Sequence, residues 1–192
     1  MEKDRLLAFS DGVIAIIITI MVLELKVPHG ASLHDLAAAA PVFLSYVMSF
    51  IYISIYWNNH HHFWHLVRRV DGLVLWANLH LLFWLSLVPF TTGWMGENDF
   101  APVPTALYGI SLLMPAFAWL GLQKAIIRIQ GSDSALAHAI GRDLKGKLSP
   151  VFYVLGIVFS FVDTRIAGTL YVLVALLWFI PDRRIERTFR RS

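Results

Sequence analysis

The stretch GLVLWANLHLLFWLSLVPFTTGWMG, residues 72–96, contains no aspartate, glutamate, lysine or arginine. A helix needs about 20 mostly apolar residues to cross roughly 30 Å of hydrocarbon, and this run exceeds that length. Working outward, an uncharged run from Leu36 to Val67 precedes it and another from Phe100 to Gln123 follows it. Composition agrees: of 192 residues, 57% are hydrophobic and 15% charged, against about 25% charged in an ordinary soluble domain. Charges gather at the N-terminus, in short connectors and at the C-terminus, which is the pattern of an all-α polytopic membrane protein. The formal charge of +3 therefore suits lipid headgroups and topology, and not nucleic acid. With no cysteine, disulfides, thiolate metal sites and cysteine nucleophiles are excluded.

Six spans are predicted, at about 5–27, 36–66, 72–96, 101–127, 146–162 and 166–181, in a single domain 1–192 with a basic tail at 182–192. The last two form a tight hairpin around Asp163-Thr164-Arg165. Residues 134–140 suggest a short amphipathic turn of helix in a connector. The first span is unusual. Its uncharged part, Gly12 to Leu23, is too short to cross at about 1.5 Å per residue. A signal peptide would explain Lys3 and Arg5 before an apolar core, but Asp11 interrupts it and Glu24, Lys26, Pro28 and His29 follow where a cleavage site should be. The other reading is a helix from about Arg5 to Val27 that carries Asp11 toward the membrane, where ionisable groups face protein or water and mark function. With six spans, every one of the sixteen lysines and arginines except Lys26 and Arg165 falls on one side. The positive-inside rule then puts both termini in the cytoplasm of a multi-pass cell-membrane protein. Trp64, Trp94 and Trp178 are expected at the interface, and Trp57, Trp76 and Trp84 between helices.

The polar residues of these spans are the candidates for function. Arg5 and Asp11 are six apart, so they do not pair along one helix face and must find partners on other helices. Ile16, Thr19, Ile20 and Leu23 fall at i, i+3, i+4 and i+7, one stripe of a helix. Such a stripe is ordinarily packing or lipid-facing surface. Next to a polar cluster it also suits an ion path, since rings of apolar side chains gate by dewetting, with several subunits supplying the helix around an axis. His61 and His65 stand one turn apart, as paired metal-binding histidines do. No glutamate or third ligand accompanies them, so hydrogen bonding between helices is expected, and no metal or cofactor. Asn78 and His80 also need polar partners, for which Arg5 and Asp11 are natural candidates. A carbonyl filter loop of the TVGYG type, a Walker loop and a GxSxG elbow are absent, and no catalytic set assembles; an enzyme is not expected.

The run Arg5-x-x-x-Phe9-Ser10-Asp11 resembles the first-helix signature of the transmembrane protein 175 family, the endolysosomal potassium channels and their prokaryotic relatives. The likeness continues through Trp57-x-x-His60-His61, Asn78 and Pro89-Phe90, and the six-span layout matches one family repeat over nearly the whole chain. It implies a leak-type cation channel favouring potassium over sodium, assembled as a homotetramer with the first helices lining the pore. By position, Ile16 becomes the main constriction, with Thr19, Ile20 and Leu23 beside it. Arg5, Ser10 and Asp11 become an interhelical network with Trp57, His61 and Asn78. The partners implied are potassium ions and the lipid bilayer. A proton-coupled or metal-ion transporter using Asp11 and the histidine run is the competing reading.

Overall fold

Helix α1, Lys3–Leu23, buries Leu6, Ser10, Ile14, Ile17 and Met21 on one face, a spacing of four, four, three and four that keeps one side of an α-helix against its neighbours. The structure, a computed structural model, describes residues 3–140 and 143–179, and its regular elements there are all helical. The helix stops at Leu23 and does not reach Val27: Pro28 disfavours helix in the residue before it, and Lys26 leaves the axis to pair with Glu97. Because α1 begins as early as Lys3, its 21 residues still reach about 31 Å.

After a turn, Ser32 caps the short helix α2, Leu33–Ala38, in a reciprocal box with Asp35. Helix α3, Ala40–His65, follows with Pro41 in its first turn. The single span expected at 36–66 is thus split, because Pro41 has no N–H to offer the Ala37 carbonyl. Asp71 then caps α4, Gly72–Ser86, by accepting from Val74 N at 2.8 Å. The same proline effect breaks the next traverse: Pro89 cannot bond the Leu85 carbonyl, so α4 hands over at Leu87 to α5, Val88–Glu97. Helix α6, Pro102–Gln130, is 29 residues long and runs through Pro115. The connector turn expected at 134–140 is helix α7, Ala135–Ile140. Helices α8, Leu144–Phe159, and α9, Thr164–Phe179, form the predicted hairpin. The basic tail 182–192 lies outside the described residues.

Four traverses, Lys3–Leu23, Ala40–His65, Gly72–Glu97 and Pro102–Gln130, are long and apolar enough to cross a membrane. The 16 residues each of α8 and α9 span about 24 Å. Direction alternates. Lys26 and Glu97 join the C-terminal ends of α1 and α5 at one end of the bundle. At the other, Arg68 N, just after α3, donates to Gln130 Oε1 at the end of α6, at 2.9 Å.

Two cores fill the bundle. One lies among α1, α3, α4 and α6, with Ile14, Ile53, Trp64, Leu81 and Leu122. The other joins α3, α5, α6, α8 and α9 around Tyr52, Tyr108, Tyr153 and Tyr171. At the α3–α5 crossing Gly96 is required: a Cβ there would stand 2.4 Å from Ser45 Oγ and 2.8 Å from Val42 Cα. Trp64 is fully buried, whereas Trp57 and Trp76 are exposed. Trp64 lies on the side of α3 that also buries Ile53 and His60, and Trp76 on the outer side of α4.

Candidate functional site

The signature residues of α1 divide between its two faces. Ser10 is buried and meets Asn78 of α4, whose Nδ2 donates to Ser10 Oγ at 2.9 Å. Asn78 Oδ1 lies 2.8 Å from His60 Nε2 of α3, and Trp64 Nε1 donates to that same nitrogen at 2.7 Å. An indole N–H only donates, so His60 Nε2 is an acceptor. The Asn78 arm facing it is satisfied when the two ends of the amide exchange places, so that the –NH2 meets His60 and the carbonyl takes the Ser10 hydroxyl proton. That proton otherwise goes to the Leu6 carbonyl. The chain Ser10–Asn78–His60–Trp64 therefore joins α1, α4 and α3 through groups withdrawn from solvent. His60 Nδ1 is buried without a partner among the described residues.

Asp11 is half-buried at the edge of this cluster and accepts from Trp57 Nε1 at 3.1 Å. The motif is thus anchored twice, to α4 through Ser10 and to α3 through Asp11. Arg5 and Phe9 are exposed. The one ion pair among the described residues is Lys26–Glu97, so Arg5 does not pair with Asp11.

His60, and not His61, makes the bond to Asn78. Consecutive helical residues are rotated by about 100°, which turns His61 away from α4 and toward Trp57 and His65. His80 also differs from expectation: its partner is Trp84, whose Nε1 donates to His80 Nε2 at 2.7 Å. Trp64 was overlooked as a network member because it sits near a span end. Its i+4 relation to His60 was the available signal.

The opposite face of α1 carries the stripe. Ile16 is 60% exposed, Ile20 41% and Leu23 78%, while Ile14 and Ile17 are 1% and 3%. Thr19 is on the exposed side and its hydroxyl donates to the Ala15 carbonyl at 2.6 Å. Ala8, Gly12 and Ala15 share that side, and a Cβ at Gly12 would meet nothing within 4 Å. The exposed side of α8 is built differently, from Leu148, Val151, Val154, Leu155 and Val158. Bulky aliphatic surface suits lipid. On α1 small residues, Ala8, Gly12 and Ala15, and the hydroxyl of Thr19 lie among the exposed aliphatic side chains.

The family described as "Endosomal/lysosomal potassium channel TMEM175" matches residues 5–89, from Arg5 through Pro89. A protein of Chryseobacterium sp. (strain P1-3), described as a potassium channel, is 56% identical over 192 residues, covering all of both chains. Another potassium channel by description, from Chamaesiphon minutus, is 30% identical over 187 residues, 90% of this chain and 91% of that one. The crystal structure of a lysosomal potassium-selective channel TMEM175 homolog from Chamaesiphon minutus has the same fold. Its TM-score is 0.84 at 29% identity, over 94% of this chain and 98% of that chain.

Proposed function

This chain belongs to the TMEM175 potassium-channel family, and on that premise we propose that it is one subunit of a potassium-selective, leak-type channel lined by α1 of each subunit. The family is one of ion channels, not enzymes. The observation that carries the reading is the two-sidedness of α1: Ser10 and Asp11 fasten one side to α4 and α3, and the opposite side leaves Ile16, Thr19, Ile20 and Leu23 exposed on the subunit.

Four copies around an axis would gather these residues into successive rings. Ile16 forms the narrowest, an apolar ring that resists wetting and strips part of an ion's hydration. Partial dehydration costs less for potassium than for the smaller, more strongly hydrated sodium ion. The Thr19 hydroxyls, one turn away, return some of the lost oxygen contacts. Selectivity then needs no loop of backbone carbonyls. With six crossings both termini share one side of the membrane, read as the cytoplasm from the distribution of lysine and arginine, and the membrane as the plasma membrane of the cell.

The test is a bi-ionic reversal potential on vesicles or planar bilayers holding purified protein, with potassium on one side and sodium on the other. A reversal displaced toward the potassium equilibrium potential is expected. A coupled transporter would instead show saturable flux at fixed stoichiometry, and silence in both assays would end the channel reading.

A further inference from the structure

The last turns of α3 hold groups that ion conduction does not use. His61 and His65 bring their Nε2 atoms to 3.2 Å, with rings 81° apart in plane and centroids separated by 4.8 Å. Two imidazole nitrogens on one tetrahedral zinc ion, each at about 2.05 Å from the metal, stand about 3.3 Å apart. The pair already has the spacing of two ligands to one ion. His61 is half-buried and His65 exposed, so the pair stands at the surface of the helix end, where an ion and its waters reach it. The C-terminal end of α3 adds to this, because the last carbonyls of a helix favour a cation.

We propose that His61 and His65 form a bidentate binding site for a divalent ion that prefers imidazole, of the zinc, nickel and copper class. Both nitrogens offer a lone pair once each ring carries its proton on Nδ1. The ring that now donates from Nε2 changes tautomer, and two neutral imidazoles take up the ion with no net proton released. Magnesium and calcium, which demand oxygen ligands, do not suit the pair. Among the described residues no three His, Cys, Asp or Glu side chains converge on one metal position. Water therefore fills the remaining positions, and the site is labile, not structural. Lys3, close enough to His65 to interact electrostatically with it, weakens it further.

The position gives such an ion a route to α1. The His61 ring lies against Trp57, with centroids 6.1 Å apart and planes inclined by 31°. Trp57 is the residue that donates to Asp11. Fixing His61 on a metal thus fixes the wall against which that indole sits.

The experiment is calorimetric titration of untagged, chelator-washed full-length protein in detergent micelles with zinc chloride. One zinc ion per chain is expected at this site. His61→Gln and His65→Gln should each weaken binding by about tenfold or more, while His34→Gln, in α2 at the opposite end of the bundle, should leave it unchanged. His65→Cys keeps a ligand one turn from His61 and should restore binding. Cobalt substituted for zinc should give a visible ligand-field spectrum that the double glutamine variant lacks. Wild-type protein that takes up no zinc would overturn the proposal, as would a double variant that binds zinc as tightly as wild type.

Discussion

Ser10 and Asp11 are neighbours in sequence that face different helices, and this fixes the rotation of α1 about its axis. Each bond alone is modest. The cost comes from leaving a partner stranded, about 1–3 kcal/mol for a buried polar group that loses its mate. Asn78→Ala removes the bridge between Ser10 and His60, leaving Ser10 only the Leu6 carbonyl and His60 Nε2 only Trp64, so its thermal unfolding midpoint in detergent should fall. Trp57→Phe removes one donor from the more exposed Asp11 and should cost less, about 1 kcal/mol. Equal costs would argue against a buried Asn78 network. On the other face, Ile16→Asn should wet the constriction, raising conductance in single-channel recordings and weakening potassium-over-sodium discrimination. The motif was legible at this scale because Asp11 beside an apolar run demands a partner. The choice among adjacent histidines was not, since periodicity alone does not fix which of three consecutive residues points at Asn78. Trp76 was expected between helices for a related reason: depth along a helix says nothing about which side is buried.

The helices show where chain chemistry overrides hydrophobicity. An apolar run reads as one span, and the unbroken stretches Leu36–Val67 and Gly72–Gly96 gave little hint of interruption beyond Pro41 and Pro89. Those two prolines mark the breaks, each by withholding one N–H. The α2 cap has a consequence with pH. The hydroxyl of Ser32 first, and then its backbone N–H, bond the Asp35 carboxylate and hold its pKa below the usual carboxylate value. The stability this adds is fully present above the unfolded carboxylate pKa and is lost as pH falls through the lower folded value. The protection of α2 amides against hydrogen exchange, taken relative to the intrinsic rate at each pH, should therefore fall on acidification below about pH 4. Ser32→Ala should give fast exchange already at neutral pH. Lys26 has the opposite sense: its bond to Glu97 and that carboxylate's charge raise its pKa, so its contribution persists until alkaline pH. At the α3–α5 crossing, Gly96→Ala forces Cβ against the Val42 backbone and should destabilise by about 1–3 kcal/mol, read as a lower unfolding midpoint.

For the whole molecule, the order of helices and the hairpin of α8 and α9 followed from charge and length, while the two cores did not. Tyr52, Tyr108, Tyr153 and Tyr171 come together from four helices, and no local pattern announces such a meeting. The central claim is that the exposed side of α1 turns toward other copies of itself. The chain has no cysteine, which permits a direct measurement: oxidative cross-linking of Ile16→Cys in membranes, with Val172→Cys on the outer side of α9 as comparison. Covalent dimers should form rapidly at position 16 and not at position 172. Position 16 remaining monomeric under conditions that cross-link position 172 would show α1 facing lipid, and the pore assigned to it would be wrong.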